Sequence, residues 1–254
     1  MVKIATYNVN SINAHLEVVL DWLAAADIDV LLMQEIKCEW GAFPTMMFKQ
    51  AGYNCAVLGQ KSYNGVAIAS KFKLDNVVSG LPGLADDQAR FIQADTCGLT
   101  IANVYVPNGN PVETKLDYKL EYMKALNKYA ASKVNGSAAF VLGGDFNVII
   151  EDRDAYDIAQ YRTNALAHPS VRAAFRQCCN LGFTNAFRAV HPDAVAYTWY
   201  SYSRGQVMAD HGLLIDHILL NPSAADRLRD AGVDKSVRMK SNTSDHVPLI
   251  CELA

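Results

Sequence analysis

Residues 3–35 read KIATYNVNSINAHLEVVLDWLAAADIDVLLMQE, and their hydrophobic spacing decides the architecture. Lys3–Tyr7 and Val30–Gln34 are apolar runs of strand length, and between them His15–Ala26 carries apolar residues at helical intervals. A strand, a crossover helix and a second strand make a parallel pair, because a connection of this length passes over one face of a sheet. Both strands run into polar residues, Asn8 and Glu35. In α/β sheets the carboxyl ends of strands are where ligand sites assemble.

Further along, strand-like Tyr53–Leu58, Gly65–Ser70, Arg90–Ala94 and Leu99–Val106 follow in quick succession. They predict antiparallel meanders joined by turns such as Asn64-Gly65. Glu113–Lys133 places Leu116, Leu120, Met123, Leu126 and Tyr129 on a helical stripe that should lie against a sheet. Ala138–Leu142 predicts a buried strand running into Gly143-Gly144-Asp145, with helices around Ser170–Leu181 and Ser223–Asp230 and strands over Leu213–Leu220 and Val247–Leu253. No linker or repeat interrupts the chain. The expectation is therefore an α/β fold, two packed mixed sheets with outer helices, in one domain spanning residues 1–254.

The chain has 254 residues, 51% of them hydrophobic, enough for a large core. No run of 18 apolar residues occurs and the first strand begins at Lys3, so neither a membrane span nor a signal peptide is expected and the cytoplasm is the expected compartment. Cys38, Cys55, Cys97, Cys178, Cys179 and Cys251 show no C-x-x-C spacing, which predicts reduced, mostly buried thiols rather than a zinc or redox site. A net charge of −3, from 23 Lys+Arg and 26 Asp+Glu, does not advertise a polyanion partner. It does not exclude one either, since carboxylates gathered around a cation offset a local basic rim.

The candidate chemistry sits where apolar strands end. Asn8, Glu35, Asp145 and Asn147 each follow a hydrophobic run, Asp216 lies within Leu213–Leu220, and Asp245-His246 precedes the last strand. Unpartnered burial of so many ionisable groups would be costly. Oxygen donors without a Cys/His cluster point to a hard cation, magnesium or manganese, with Glu35 the best single ligand. Any one of these residues could equally close a turn or cap an element. His246 can act as a base only if a carboxylate fixes its tautomer, and Asp216 supplies one if the two strands pair. Trp199 and Tyr200, in Tyr197-Thr-Trp-Tyr-Ser-Tyr202, could stack on sugars or bases or anchor their own loop. Lys61, Tyr63 and Asn64 flank the Gly65 turn, where they could reach phosphates or simply solvate a hairpin.

Taken in order, Asn8-Val-Asn10, Gln34-Glu35-Ile-Lys37, Asn103-Val-Tyr105-Val-Pro107-Asn-Gly109, Gly143-Gly-Asp145-Phe-Asn147, Tyr197-Thr-Trp199, Ile215-Asp216 and Ser244-Asp245-His246 resemble the exonuclease III family of abasic-site endonucleases. The resemblance runs from Val2 to Leu253. It implies a four-layered α/β sandwich and a Mg2+-dependent phosphodiesterase, with Mn2+ able to substitute, that cuts duplex DNA 5′ to abasic sites and trims 3′ ends as a monomer. Carried over residue by residue, it implies that Glu35 holds the metal with Asn8 and Asp245 beside it. Asp216 orients His246, and Tyr105, Asp145 and Asn147 surround the scissile phosphate, with either His246 or Asp145 activating water. Trp199 is similar to the aromatic that packs on the flipped sugar, and Lys61, Tyr63, Asn64 and Arg90 match positions facing DNA.

The chain departs from that pattern in its arginines. Ser201-Tyr202-Ser203, followed by Arg204, stands where many relatives carry Asp-Tyr-Arg, Leu214 stands for Arg before Ile-Asp, and Asn13 for another Arg. Fewer guanidinium groups imply weaker phosphate clamping, or a shifted balance between abasic incision and 3′ trimming. Phosphatases of inositol phosphates share the fold and several motifs, but Trp199 and the Asn103–Gly109 stretch favour DNA. A non-catalytic DNA-binding relative is the reading from a different class, and the complete acidic set argues against it.

Overall fold

The computed structural model describes residues 1–136, 138–203 and 205–254, so Arg204 of the altered loop lies outside the described residues. The first half of the chain gives β1 (Val2–Asn8), α1 (Ile12–Ala26), β2 (Val30–Gln34), α2 (Thr45–Gln50), β3 (Asn54–Leu58), β4 (Val66–Ser70), β5 (Asp75–Ser79), β6 (Phe91–Thr96) and β7 (Leu99–Tyr105). The second half gives α3 (Val112–Val134), β8 (Phe140–Asp145), α4 (Pro169–Asn180), β9 (Thr184–Asn185), α5 (Ala186–Val190), β10 (Asp216–Leu220), α6 (Pro222–Ala225), β11 (Leu228–Val233) and β12 (Leu249–Leu253). Two six-stranded sheets result, ordered β11-β12-β1-β2-β4-β3 and β5-β6-β7-β8-β10-β9. As expected, β1 and β2 are parallel, with Asn8 opposite Gln34.

The period-2 geometry of a strand explains the layers, because successive side chains leave on opposite faces. Ile4, Leu32, Val66 and Ile68 point inward and meet Ile92, Ile101, Val141 and Ile218 of the other sheet. Their outward neighbours Ala5, Tyr7, Leu31 and Met33 carry α1 through Val19, Trp22 and Leu23. On the far side Val104, Phe140 and Leu142 carry α3 and α4 through Tyr122, Leu126, Val171 and Phe175. Helix, sheet, sheet, helix is the four-layered sandwich, and each buried aliphatic or aromatic side chain stabilises it by roughly 1.5–3 kcal/mol. Gly144 makes the close approach of β7 and β8 possible: a Cβ there would sit 1.9 Å from the Val104 carbonyl oxygen.

The structure corrects four expectations. Ser223–Asp230 is not a helix. Asn221 caps a single turn, its Oδ1 accepting from Ala224 N at 3.0 Å, and the chain then enters edge strand β11 because β12 offers it a hydrogen-bonding partner. The exposed strand β5 has no buried face and therefore left no alternating pattern to read. The buried face of α3 is Lys119, Tyr122, Met123, Leu126, Asn127 and Ala130, rotated from the apolar stripe, so that Leu116, Leu120 and Tyr129 are only partly buried. Asp216 and His246 do not meet by strand pairing: Asp216 opens β10, whereas His246 lies in the segment before β12, bridged to Trp199, and its side chain reaches across to Asp216. All six cysteines are free thiols. Among the described residues no helix is long and apolar enough to cross a membrane.

Candidate active site

Five strands deliver polar groups to one end of the sandwich. Tyr105, at the end of β7, is the register partner of Asp145 at the end of parallel β8, and Asp145 in turn faces Asp216 at the start of antiparallel β10. Asn8 and Glu35 close β1 and β2 of the other sheet. Below them the sheets are tied by Gln34 Nε2, which donates to Asn103 Oδ1 at 2.6 Å, while Asn103 Nδ2 donates to the Met33 and Ala67 carbonyls. Glu35 at φ 50° and Asn147 at φ 49° hold left-handed backbone, as do Lys37 and Asn64 next to Glu35. Strain of this kind persists only where surrounding contacts over-determine it.

The centre is a chain of carboxylates bridged by amides and one imidazole. Asn8 Nδ2 donates to Glu35 Oε1 at 2.9 Å and to Asp145 Oδ2 at 3.0 Å. Asp145 Oδ1 accepts from Asn147 N at 2.8 Å, and His246 Nε2 lies 3.8 Å from Asp145 Oδ2. The other imidazole nitrogen, Nδ1, is 2.9 Å from Asp216 Oδ2. Tyr105 donates its hydroxyl to Glu35 Oε1 at 2.9 Å.

Burial and neighbouring charge push these groups apart. Asp145 is raised to about 7, first by burial and then by the charge of Asp216. For His246 burial opposes the charged form, but Asp216 outweighs it and raises the imidazole to about 10. Glu35 is likewise opposed by burial, yet the Asn8 amide and Lys37, whose Nζ is 2.9 Å from Oε2, hold it below the usual carboxylate range. Burial and the Glu35 charge keep the Tyr105 phenol far above its ordinary value, so it is a hydrogen-bond donor at any working pH.

These groups border a cavity of about 300 Å³. It is lined by Glu35, Tyr105, Asp145, Asn147, Asp245 and His246, by the amides of Asn108, Asn110 and Asn164, and by Tyr161, Leu166, Leu213, Ile215 and Trp199. Trp199 is fixed by Nε1 donating to Asp245 Oδ2 at 3.0 Å. Asn8 is fully buried behind Glu35 and Asp145, and its Oδ1 accepts from Asn10 N, so it clamps the carboxylates rather than facing the cavity. Lys61 and Tyr63 are exposed on the loop between β3 and β4, away from the cavity. Asn64 turns inward to Gln60 and Gln88, and its carbonyl accepts from Lys37 N, which seats that loop against the Glu35 turn. Arg90 lies beneath, its guanidinium 4.8 Å from the Tyr105 ring centroid.

Lys119 escaped the sequence reading. It is fully buried, donates to the carbonyls of Asn108 at 3.1 Å and Asn147 at 2.5 Å, and burial lowers it to about 7. In the sequence it lies beside, not on, the apolar stripe of Leu116, Leu120, Met123, Leu126 and Tyr129, so nothing in the pattern marked it as buried.

The donor set suits a hard cation. Among the described residues, Lys37 and His246 lie against the set of Glu35, Asp145, Asp216 and Asp245, and the Lys119 charge acts on Asp145, so carboxylates outnumber cations. Asp145, Asp216 and His246 place ligand atoms within 4.8 Å of one another. Asp216 Oδ2 and His246 Nδ1 are used on each other in a buried contact, whereas the more exposed Glu35 has a lysine ammonium already drawn to Oε2. Oxygen donors of this kind fit Mg2+ or Mn2+ better than a softer metal.

The pattern for the endonuclease/exonuclease/phosphatase family matches residues 5–246. The chain belongs to that family. Exodeoxyribonuclease III of Haemophilus influenzae is 29% identical over 264 residues, covering 98% of this chain and 99% of that protein. The AP endonuclease from Archaeoglobus fulgidus superposes with a TM-score of 0.96 at 36% identity, covering 100% and 99% of the two chains. The 3′-5′ exonuclease NExo from Neisseria meningitidis superposes at 0.95 with 37% identity over 99% of each. This chain is a hydrolytic nuclease of that family.

Proposed function

We propose that this endonuclease/exonuclease/phosphatase-family chain is a Mg2+-dependent repair enzyme that incises duplex DNA 5′ to abasic sites and also clears 3′ ends. One observation carries the proposal: a single cavity is lined both by polar Glu35, Tyr105, Asp145, Asn147 and His246 and by apolar Leu166, Leu213, Ile215 and Trp199. A phosphate suits the first group and a sugar without its base suits the second, and an unstacked abasic residue is the cheapest nucleotide to extrude.

Glu35, with Asp245 close by, would hold Mg2+. When bound there it supplies charge neutralisation at the phosphate oxygens. Asp145, raised to about 7, is the group poised to take the proton of the attacking water near neutral pH. His246, kept cationic by Asp216, donates from Nε2 to a phosphate oxygen and stabilises charge that builds on the phosphorus centre. Tyr105 and Asn147 complete the hydrogen-bonding shell. The oxygen of water joins phosphorus, the 3′ oxygen leaves and takes a proton, and the products are a 3′ hydroxyl and a 5′ deoxyribose phosphate. Residues 1–254 would act as one domain, as a monomer, in the cytoplasm.

Removal of 3′ nucleotides or 3′ phosphates is a second reading, supported by the Neisseria 3′ phosphatase NExo, which was solved with product DNA hairpin and superposes at 0.96 with 36% identity. A duplex with one tetrahydrofuran residue, an undamaged blunt duplex and a 3′-phosphate duplex separate the readings. Each is incubated with Mg2+ or EDTA, with wild type or Glu35→Ala. Mg2+-dependent incision at the analogue that vanishes in Glu35→Ala supports the first. An intact analogue beside trimmed ends would replace it with the second.

A further inference from the structure

Beyond Trp199 and Tyr161, which line the catalytic cavity, a second groove of about 390 Å³ opens toward solvent, and those two side chains line it as well. We propose that this groove receives the nucleobase of the 3′-terminal nucleotide while its sugar occupies the catalytic cavity. The inference rests on the nuclease reading above and assigns the groove a role only for residues that still carry a base.

Two of the lining residues form an aromatic platform. Tyr156 is stacked on His211, with ring centroids 3.3 Å apart and planes at 18°. Backbone bonds hold the pair in place, Tyr156 N donating to the Gly212 carbonyl at 3.0 Å and His211 N to that of Gln206 at 2.9 Å. Tyr156 is nonetheless 54% exposed, an unusual state for an aromatic ring so firmly positioned. Among the described residues no lysine or arginine lines the groove, and its one carboxylate, Asp157, is occupied by Ala159 N and Gln160. Among the described residues, then, the groove offers a phosphate no cationic side chain. A flat, uncharged ring with edge donors and acceptors fits there, between the aromatic faces and the Ser201 and Gln206 side chains.

Duplex stacking keeps a paired terminal base out of reach, so the groove serves a frayed or mismatched 3′ nucleotide. In the reaction it favours, the oxygen of water joins phosphorus, the bond from phosphorus to the preceding 3′ oxygen breaks, that oxygen takes a proton, and the terminal residue departs as a 5′-nucleotide. An abasic residue leaves the groove empty.

The test compares wild type, Tyr156→Ala and Tyr156→Phe on duplexes ending in a mismatched or a paired 3′ nucleotide, and on tetrahydrofuran and 3′-phosphate substrates. In parallel, quenching of an unpaired 3′-terminal 2-aminopurine is followed in EDTA, which needs no turnover. We expect wild type to trim the mismatched end faster than the paired one. Tyr156→Ala should lose about tenfold in kcat/KM on mismatched ends and most of the quenching, with Tyr156→Phe retaining both. Losses in Tyr156→Ala should not extend to the tetrahydrofuran and 3′-phosphate substrates. Equal losses on every substrate, or quenching that survives in Tyr156→Ala, would overturn the assignment. Incision without any trimming would overturn it while leaving abasic cleavage standing, whereas quenching without any hydrolysis would leave the groove and remove the nuclease reading.

Discussion

Asp145→Asn separates the chemical role of the buried carboxylates from their cost to the fold. Asp145 is raised from 3.8 to about 7 because it is buried beside Asp216, and a difference of that size corresponds to about 4 kcal/mol against the ionised native state. Asparagine removes the charge and keeps one oxygen to accept from Asn147 N, but its NH2 then faces Asn8 Nδ2, and the lost hydrogen bond costs about 1–2 kcal/mol. The net effect at pH 8 is a gain of about 2 kcal/mol, or roughly 4–8 °C in Tm for a chain of this size. The sign with pH follows from the raised native value. Stability from protonated Asp145 is fully present below the unfolded value of 3.8 and is lost as pH rises through about 7. Thermal melts of both proteins in EDTA from pH 4 to 8.5 should therefore show the variant's advantage opening with rising pH, while its nuclease activity is absent. A gap that stays constant with pH, or a variant less stable than wild type at pH 8, would refute the account of Asp145 as a costly, proton-sharing carboxylate.

Lys119→Met removes an ammonium that burial disfavours by about 5 kcal/mol, but orphans two carbonyls at about 1–3 kcal/mol each. Tm should move by only a few degrees, while kcat for incision drops at least about tenfold as the left-handed backbone at Asn147 loosens; circular dichroism melts and single-turnover kinetics check both. Trp199→Ala should weaken abasic-duplex binding about tenfold through lost contact with the sugar, read by anisotropy in EDTA. Gly144→Ala would force a Cβ within 1.9 Å of the Val104 oxygen inside a central parallel pair; a loss of at least ~3 kcal/mol should appear as a lower urea midpoint or failure to accumulate folded protein.

Strand positions were legible because β1, β2, β4 and β8 are buried on both faces and read as unbroken apolar runs. Their polar terminators named Asn8, Glu35, Asp145 and Asn147 for the same reason: a polar residue at the end of such a run is conspicuous. What pattern could not supply is anything set by the meeting of the two sheets. Asp216 opens β10 and His246 sits in the segment before β12, so no strand-pairing rule joins them, and Lys119 reaches the site from a helix whose own stripe had been read as packing alone. Edge elements failed differently. β5 is exposed throughout, and β11 is a strand only because β12 offers a partner, information absent from Leu228–Val233 itself.

The assignment of base and cation holder also depends on that assembly. One amide, Asn8 Nδ2, donates to both Glu35 and Asp145, so the two carboxylates share a partner and differ only in surroundings. Lys37 sits beside Glu35, which lines the cavity, and holds it anionic, as a group meant to attract a cation must be. Asp145 is buried, has Asp216 as a like charge beside it and no lysine within salt-bridge distance, so it keeps its proton up to near neutrality and can exchange it there. Environments that push paired carboxylates apart in this way assign acid–base and electrostatic roles. Swapping those surroundings tests the assignment: Lys37→Met should raise Glu35 toward Asp145 and weaken Mg2+ binding at pH 6 more than at pH 8, because protonation competes with the cation only where the carboxylate has lost its lysine.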